Sequence, residues 1–363
     1  MTNPKTVQTL FHLSQLMSNQ QYVPQYAKNK ILIEAFFEPS TRTCLSFECA
    51  MKKLGGNVIM FHPQTSSKQK GESDMDTLIT LTHYGDALLL RHPDHEFYDQ
   101  ATQSLTIPII NGGSGGKLHP TQALLDLYTM YKKFGNDFEN KTILFVGDIH
   151  QSRTIHSFVH LLHMFPNTKL YFHPYANCEP NKEYIQKVAF IHHQKEENMV
   201  VYTNELNYGD YDVVYLTRYQ KERHDDIHHQ PSSCLTNLNS YVFTYENANE
   251  MKKDAIIMHP FPRNQELDRR VDQHPCAYYF QQSKYGVELR MAILEKLFKD
   301  MHESKNHSIT TSNKSSYKPS LMDMTIFLCN AINIGTFIQS GNVYQFGVIL
   351  FIYGCTQLWM RNN

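Results

Sequence analysis

The sequence predicts an α/β protein built from two doubly wound parallel-sheet domains joined by linker helices, with a C-terminal extension of different character. Three observations lead there. Short apolar runs alternate with segments long enough for a helix, once up to residue 110 and again between residues 142 and 258. Strands connected in that way pair in parallel and are covered on both faces. A chain of 363 residues exceeds what one core comfortably holds and suits two. After residue 303 the pattern stops, and residues 324–360 carry no charge at all.

The elements follow in order. Val7, Leu10, Phe11, Leu13, Leu16 and Met17 place an amphipathic helix over 7–18. Strands are expected at 31–37, 57–61, 86–91 and 107–110. Between the first two lies Phe37-Glu38-Pro39-Ser40-Thr41-Arg42-Thr43-Cys44-Leu45-Ser46-Phe47-Glu48, with Cys44, Phe47, Met51 and Leu54 at helical spacing until Gly55-Gly56. It reads as strand, tight loop, helix, and is the stretch around which the chain is organised. Ser40, Thr41 and Thr43 put hydroxyls and unpaired N–H groups at a helix N-terminus, where the dipole favours an anion. Arg42 adds a planar, permanently charged fork suited to phosphate. Taken alone, the same residues also describe an ordinary capped helix with a surface arginine.

Residues 64–73 form a polar, locally basic loop, and 119–134 a long helix with Leu124, Leu127, Tyr131 and Phe134 on one face, able to link two domains. The second series places strands at 142–146, 170–172, 199–202, 213–216 and 255–258, and a helix over 286–299 closes the compact part. The expected units are 1–134, completed by the helix at about 286–302; 135–285; and a linker and uncharged tail over 303–363.

Composition narrows the partners. Lys and Arg total 34 against 35 Asp and Glu, so nothing in the net charge calls for nucleic acid or an anionic membrane. Seven cysteines show no C-x-x-C pair and read as reduced cytosolic thiols. The amino terminus lacks the basic start and apolar core of a secretory signal, which makes the expected location cytoplasmic. Twenty histidines are many, but His192-His193 and His228-His229 sit in polar stretches and read as surface residues.

Ligands of open α/β sheets bind beyond the carboxyl ends of the strands. Those positions hold Ser40-Thr41-Arg42-Thr43, Arg91-His92-Pro93, Asn111-Gly112-Gly113, Asp148 with Arg153, Arg218 with Gln220, and His259-Pro260-Phe261-Pro262-Arg263. Separate strand ends thus deliver arginines to one place, as a ligand with several negative charges requires.

These residues carry a resemblance to the aspartate carbamoyltransferase family, catalytic chain. The pieces that resemble it are Phe36-Phe37-Glu38-Pro39-Ser40-Thr41-Arg42-Thr43, Lys70-Gly71-Glu72, Arg91-His92-Pro93, His119-Pro120-Thr121-Gln122, Gly147-Asp148 with Arg153-Thr154, Thr217-Arg218-Tyr219-Gln220-Lys221-Glu222-Arg223, and His259 to Arg263. They fall in family order and spacing across about residues 7–300. The resemblance implies transfer of the carbamoyl group of carbamoyl phosphate to the amino group of L-aspartate in pyrimidine biosynthesis, with no metal or organic cofactor. It assigns the phosphate to Ser40, Thr41, Arg42 and Thr43, and both phosphate and carbonyl oxygen to Arg91. His119 becomes the carbonyl-oxygen donor, while Gln122 and the main chain at Phe261 and Pro262 take the carbamoyl NH2. Arg153, and Arg218 with Gln220, fall to the two carboxylates. Ser66 and Lys70 correspond to residues inserted into a neighbouring subunit's site, which implies a homotrimer, and Glu38, Arg153 and Arg223 to residues that pair when the domains close. A regulatory chain or multienzyme partner is left open.

Three features depart from the family. Cys44 stands where a second arginine is common, Gln69 where the loop has a neighbouring lysine, and Phe261 where leucine is common. In the tail, the run Phe346 to Cys355 is shorter than the ~18–20 apolar residues of a membrane span, which leaves open a packing appendage, a weak membrane contact through 324–360 or sequence unrelated to the enzyme; the resemblance does not cover the tail. Two rival readings stand beside the first. Ornithine carbamoyltransferase shares the phosphate motif, but its substrate's ammonium would be repelled by Arg218, and it carries a cysteine at the place of Phe261. A catalytically silent homologue would keep the anion pocket for binding.

Overall fold

The computed structural model describes residues 3–115, 118–202, 206–221 and 241–311. Two parallel four-stranded sheets organise them. In chain order the first half runs α1 (Pro4–Ser18), β1 (Ile31–Phe36), α2 (Arg42–Lys53), β2 (Asn57–Phe61), α3 (Asp74–Thr82), β3 (Ala87–His92), α4 (His95–Ser104), β4 (Ile109–Ser114) and α5 (Pro120–Phe134). The second half runs β5 (Thr142–Gly147), α6 (Arg153–Leu162), β6 (Lys169–Pro174), α7 (Lys182–Ile191), β7 (Val213–Leu216), α8 (Tyr245–Glu250), β8 (Ile256–Met258) and α9 (Tyr279–Thr311).

The strand orders are β2-β1-β3-β4 and β6-β5-β7-β8. In each sheet the winding direction reverses once, between β1 and β3 and between β5 and β7. The reversal opens a crevice at the carboxyl ends of those central strands. Leu32, Ile33, Leu88, Leu89 and Leu90 are fully buried in the first sheet, and Ile143, Leu144, Val213 and Val214 in the second. Strands covered on both faces read as such apolar runs without alternation.

Three elements and one histidine differ from what the sequence pattern predicts. β4 starts two residues later and continues through Asn111-Gly112-Gly113 to Ser114, so these residues lie inside the strand. Pro108 brings no N–H to the ladder, and the Asn111 side chain receives the Gly113 N–H at 2.7 Å and donates to Ser114 Oγ at 3.1 Å. The strand expected at 199–202 is absent: that segment meets the sheet through one bridge, Phe172 to Val200. The last helix begins at Tyr279 and runs 33 residues to Thr311, well past both expected ends. Glu303 to Thr311 contains neither proline nor glycine to stop it, and Lys299 and Glu303 sit one turn apart at 3.8 Å. His192, expected at the surface, is 3% exposed, with Nδ1 2.8 Å from the Thr168 carbonyl; His193 is exposed. His228, His229, Arg223 and the tail from 312 onward lie outside the described residues.

α9 packs on α1, α2 and α5, so the last helix completes the first half. Its Glu295, fully buried, accepts the backbone N–H groups of Gln25 (2.7 Å), Tyr26 (3.1 Å) and Ala27 (3.0 Å) and the Tyr22 hydroxyl at 3.0 Å.

Candidate active site

The carboxyl ends of β1, β3, β5, β7 and β8 open on one cleft of about 730 Å³. Its walls carry Glu38, Ser40, Thr41, Arg42, Thr43, Arg91, His119, Gln122, Arg153, Arg218, Gln220, Phe261 and Pro262. Thirteen of the residues singled out in the sequence therefore meet in one place. Ser152, which also lines it, carries no motif by which the sequence alone would pick it out, whereas Thr154 and Thr217, also in its walls, stand in the pieces that resemble the family without an assigned role. Ser66 and Lys70 do not line this cleft. They belong to two short 3-10 turns, Pro63–Thr65 with Ser66 as its C-cap and Ser67–Lys70, and Lys70 is exposed.

The floor is the start of α2. Thr41 caps it without a side-chain capping bond, so the first-turn N–H groups and the nearby hydroxyls face the cleft together. Burial, and then the neighbouring Arg91 and Arg218, lower the Arg42 pKa. Crowding of like charges of this kind is relieved by an anion. The Phe261 ring lies 5.8 Å from the Arg42 guanidinium, a cation–π distance. Phe261 has φ of 58° and a cis bond to Pro262, and its N–H meets His259 Nδ1 at 2.9 Å.

Glu38 organises two of the arginines. Its Oε2 accepts from Arg91 Nε at 3.0 Å and lies 3.5 Å from Arg153 Nη1. Arg153 also donates to the Gly115 carbonyl at 2.5 Å. The bond from Arg91 to Glu38 had no signal in the sequence, since it joins two strand ends 53 positions apart. Gly113 sits under these side chains with φ of 121°, an angle that favours glycine.

In the second half, the β5 turn is tighter still. Gly147 has φ of 125°, and a Cβ there would meet the Thr217 carbonyl at 2.3 Å. That contact brings the β5 and β7 ends together. Buried Asp148 then accepts the backbone N–H of Gln220 at 3.0 Å and of Gln151 at 3.1 Å, which fixes the loop carrying Arg218 against the start of α6. Arg263, the remaining strand-end arginine, turns to Asp272 in a bidentate pair and does not line the cleft.

His119 caps α5 and is 6% exposed. Its backbone N–H donates to Ser157 Oγ at 2.8 Å, and Nε2 lies 3.5 Å from Thr43 Oγ1. Burial first, then Arg153, Arg91 and Arg290, hold its pKa well below the usual imidazole value, so the ring is neutral at physiological pH. A neutral imidazole among guanidinium groups is a hydrogen-bonding group that polarises an oxygen without accepting a charge.

A doubly wound α/β enzyme that brings two anionic reactants together is the class that this fold and cleft define. The chain belongs to the aspartate/ornithine carbamoyltransferase family: the carbamoyl-P binding domain of that family matches residues 1–132, and its Asp/Orn binding domain matches residues 139–297. Among relatives, the aspartate carbamoyltransferase catalytic subunit of Methanocaldococcus jannaschii is 44% identical over 278 residues, 75% of this chain and 86% of that protein. The crystal structure of the M. jannaschii aspartate transcarbamoylase catalytic subunit superposes with a TM-score of 0.71 at 38% identity, covering 82% of this chain and 95% of the other. Aspartate transcarbamoylase from Trypanosoma cruzi in complex with N-(phosphonacetyl)-L-aspartic acid gives 0.70 at 33% identity, covering 81% and 91%.

Proposed function

We propose that this chain is an aspartate carbamoyltransferase, moving the carbamoyl group from carbamoyl phosphate to the amino group of L-aspartate with release of phosphate. The observation that carries the reading is the meeting of the two sheet reversals in one cleft, with Arg42 and Arg91 from the first sheet and Arg153 and Arg218 from the second. The family membership and the named relatives support it. Arg218 on the second-substrate side favours a carboxylate over the ammonium of ornithine.

In this reading Ser40, Thr41, Arg42, Thr43 and the start of α2 hold the phosphate. Arg91 spans phosphate and carbonyl oxygen. His119 and Thr43 hydrogen-bond the carbonyl oxygen as it gains charge. Gln122 and the backbone at Phe261 and Pro262 take the carbamoyl NH2, while Arg153, Arg218 and Gln220 bind the aspartate carboxylates. The aspartate ammonium first gives one proton to solvent; the neutral nitrogen then bonds to the carbonyl carbon, the carbon–oxygen bond to phosphate breaks, and a second nitrogen proton leaves with the phosphate. Positioning and charge stabilisation supply the rate. The reading assigns carbamoyl phosphate to 1–134 with the helix at about 286–302, and aspartate to 135–285.

Lys70 and Ser66 belong, in the same proposal, to a neighbouring copy's cleft in a homotrimer. Their position away from the chain's own cleft supports this, and Glu38, Arg153 and Arg223 would pair on closure. Cytoplasmic placement is supported by the free thiols of Cys44, Cys49, Cys178 and Cys276; no described helix is long and apolar enough to cross a membrane. The test is product formation by the full chain, with aspartate and ornithine as parallel acceptors. Carbamoyl aspartate with stoichiometric phosphate is expected, and transfer to ornithine, or none to either, would sink the reading.

A further inference from the structure

Asp126 lies one turn along α5 from Gln122, on the face that also carries the core residue Leu125. It is fully buried, and three donors converge on its carboxylate. Oδ1 accepts from Gln122 Nε2 at 2.7 Å and from Gln282 Nε2 at 2.7 Å, and Oδ2 from the Tyr215 hydroxyl at 2.8 Å. The Gln282 amide cannot turn round, because its own oxygen receives the His259 N–H at 2.9 Å. Its NH2 therefore faces Asp126, and Oδ1 acts as an acceptor. Burial raises the Asp126 pKa to about 7 against its three donors; in the ionised form, which prevails above that pH, the same oxygen only accepts and takes the NH2 of Gln122. Gln122 lines the cleft with its nitrogen already engaged, and its oxygen is the atom left for a ligand.

We infer that Asp126 is a positioning residue for carbamoyl recognition, holding the Gln122 amide with Oε1 towards the cleft as an acceptor for the carbamoyl NH2. This rests on the assignment of Gln122 to the carbamoyl group made above. An amide free to turn would present NH2 to NH2 half the time, and the carbamoyl donor would go unpaired in a buried site. The other two donors come from different elements, Tyr215 from β7 and Gln282 from α9. Asp126 thus joins the carbamoyl side of the cleft to the strand that leads into Thr217 and Arg218.

The test must separate orientation from scaffolding. Dissociation constants for carbamoyl phosphate and for inorganic phosphate are measured by calorimetry on the full chain, Asp126→Ala, Asp126→Asn, Gln122→Ala and the double variant. Asp126→Ala is expected to weaken carbamoyl phosphate about tenfold, the scale of one lost hydrogen bond, with phosphate within about twofold. Gln122→Ala matches it, and the double variant loses no more than either single one. Asp126→Asn keeps an acceptor oxygen and retains most of the preference for carbamoyl phosphate. Equal weakening of both ligands, additive losses, an unchanged preference in Asp126→Ala or a full loss in Asp126→Asn would overturn the inference. Loss in Gln122→Ala with none in Asp126→Ala removes the inference alone, whereas no loss in Gln122→Ala removes the Gln122 assignment and the inference together. Asp126→Leu fills the volume and is read in the same way if the alanine variant does not fold.

Discussion

At His119, burial and three arginines act in the same direction, keeping the imidazole neutral. In the role proposed above, replacing it with alanine removes a hydrogen-bond donor to the oxygen that gains charge and leaves the proposed phosphate contacts in place. His119→Ala is therefore expected to lower turnover about 100- to 1,000-fold, with phosphate affinity within about threefold by calorimetry. Equal losses in both would assign the residue to binding instead. Glu34 shows burial acting on an acid. It is fully buried on β1, and burial first, then Glu48, raises its pKa to about 7, with the Cys44 thiol and Lys52 opposing. Cys44, where the family commonly has an arginine, is itself pushed up to about 12 by burial and by Glu34. Between about pH 4.5 and pH 7 the folded chain keeps the Glu34 proton that the unfolded chain releases, so this residue's contribution to stability falls as pH rises through that window. The difference in unfolding free energy between wild type and Glu34→Gln is expected to change by about 3 kcal/mol from pH 4 to pH 8 in the variant's favour. A constant difference in urea titrations at both pH values would refute it.

Helices α6 and α7 end side by side with His163 and His192 as their C-caps. The His163 ring is 5.6 Å from His160 and 5.6 Å from His192. A helix C-terminus favours a cation, yet burial dominates and, with His160, His192 and Lys187, takes His163 down to about 3. The sign is opposite to that of Glu34: the unfolded imidazole takes a proton below about pH 6.5 and the folded one does not, so stability is lost as pH falls from there. His163→Leu is expected to reduce the loss between pH 7 and pH 4.5 by about 2 kcal/mol, and an unaltered loss in denaturant titrations would exclude the cluster as its source. Elements of this kind separate what the sequence disclosed from what it hid. β1, β5 and β7 were legible because buried parallel strands are continuous apolar runs, the edge strand β2 because Val58, Ile59, Met60 and Phe61 still form an apolar run although none of them is fully buried, and α2 and α5 because glycine follows each. The start of α9 was hidden: Tyr279-Phe280-Gln281-Gln282 precedes Gly286, and aromatic residues there suit a strand as well as a helix. The cleft residues were legible as strand ends. Their partners were not, because Glu38 to Arg91 and Asp126 to Tyr215 span 53 and 89 positions. A local trace of the second existed in Asp126, one acidic residue in a helical turn otherwise made of Leu124, Leu125 and Leu127.

Across the whole molecule, four arginines from two sheets share one cleft whose described lining residues include a single carboxylate, Glu38, so a bound anion relieves the repulsion that remains. Phosphate at about 100 times its dissociation constant is expected to add about 2.7 kcal/mol to stability, read as a rise in thermal midpoint that shrinks as salt screens the charges. No rise would mean that the arginines do not share a ligand. Glu295 offers a second molecule-wide test, since Glu295→Ala strands the donors of Tyr22, Gln25, Tyr26 and Ala27 and is expected to cost at least about 3 kcal/mol. Smaller losses would show that water satisfies that loop. The dependence of the first half on α9 also sets a timetable for synthesis. A ribosome delivers β1 to β4 long before Tyr279–Thr311 exists, so the faces of α1 and α2 that α9 covers stay open while the entire second sheet is being made. That sheet, contiguous from Thr142 to Met258, can close as it emerges. The half translated ahead of the second sheet is therefore finished after it, and the nascent chain is most in need of protection over α1 and α2.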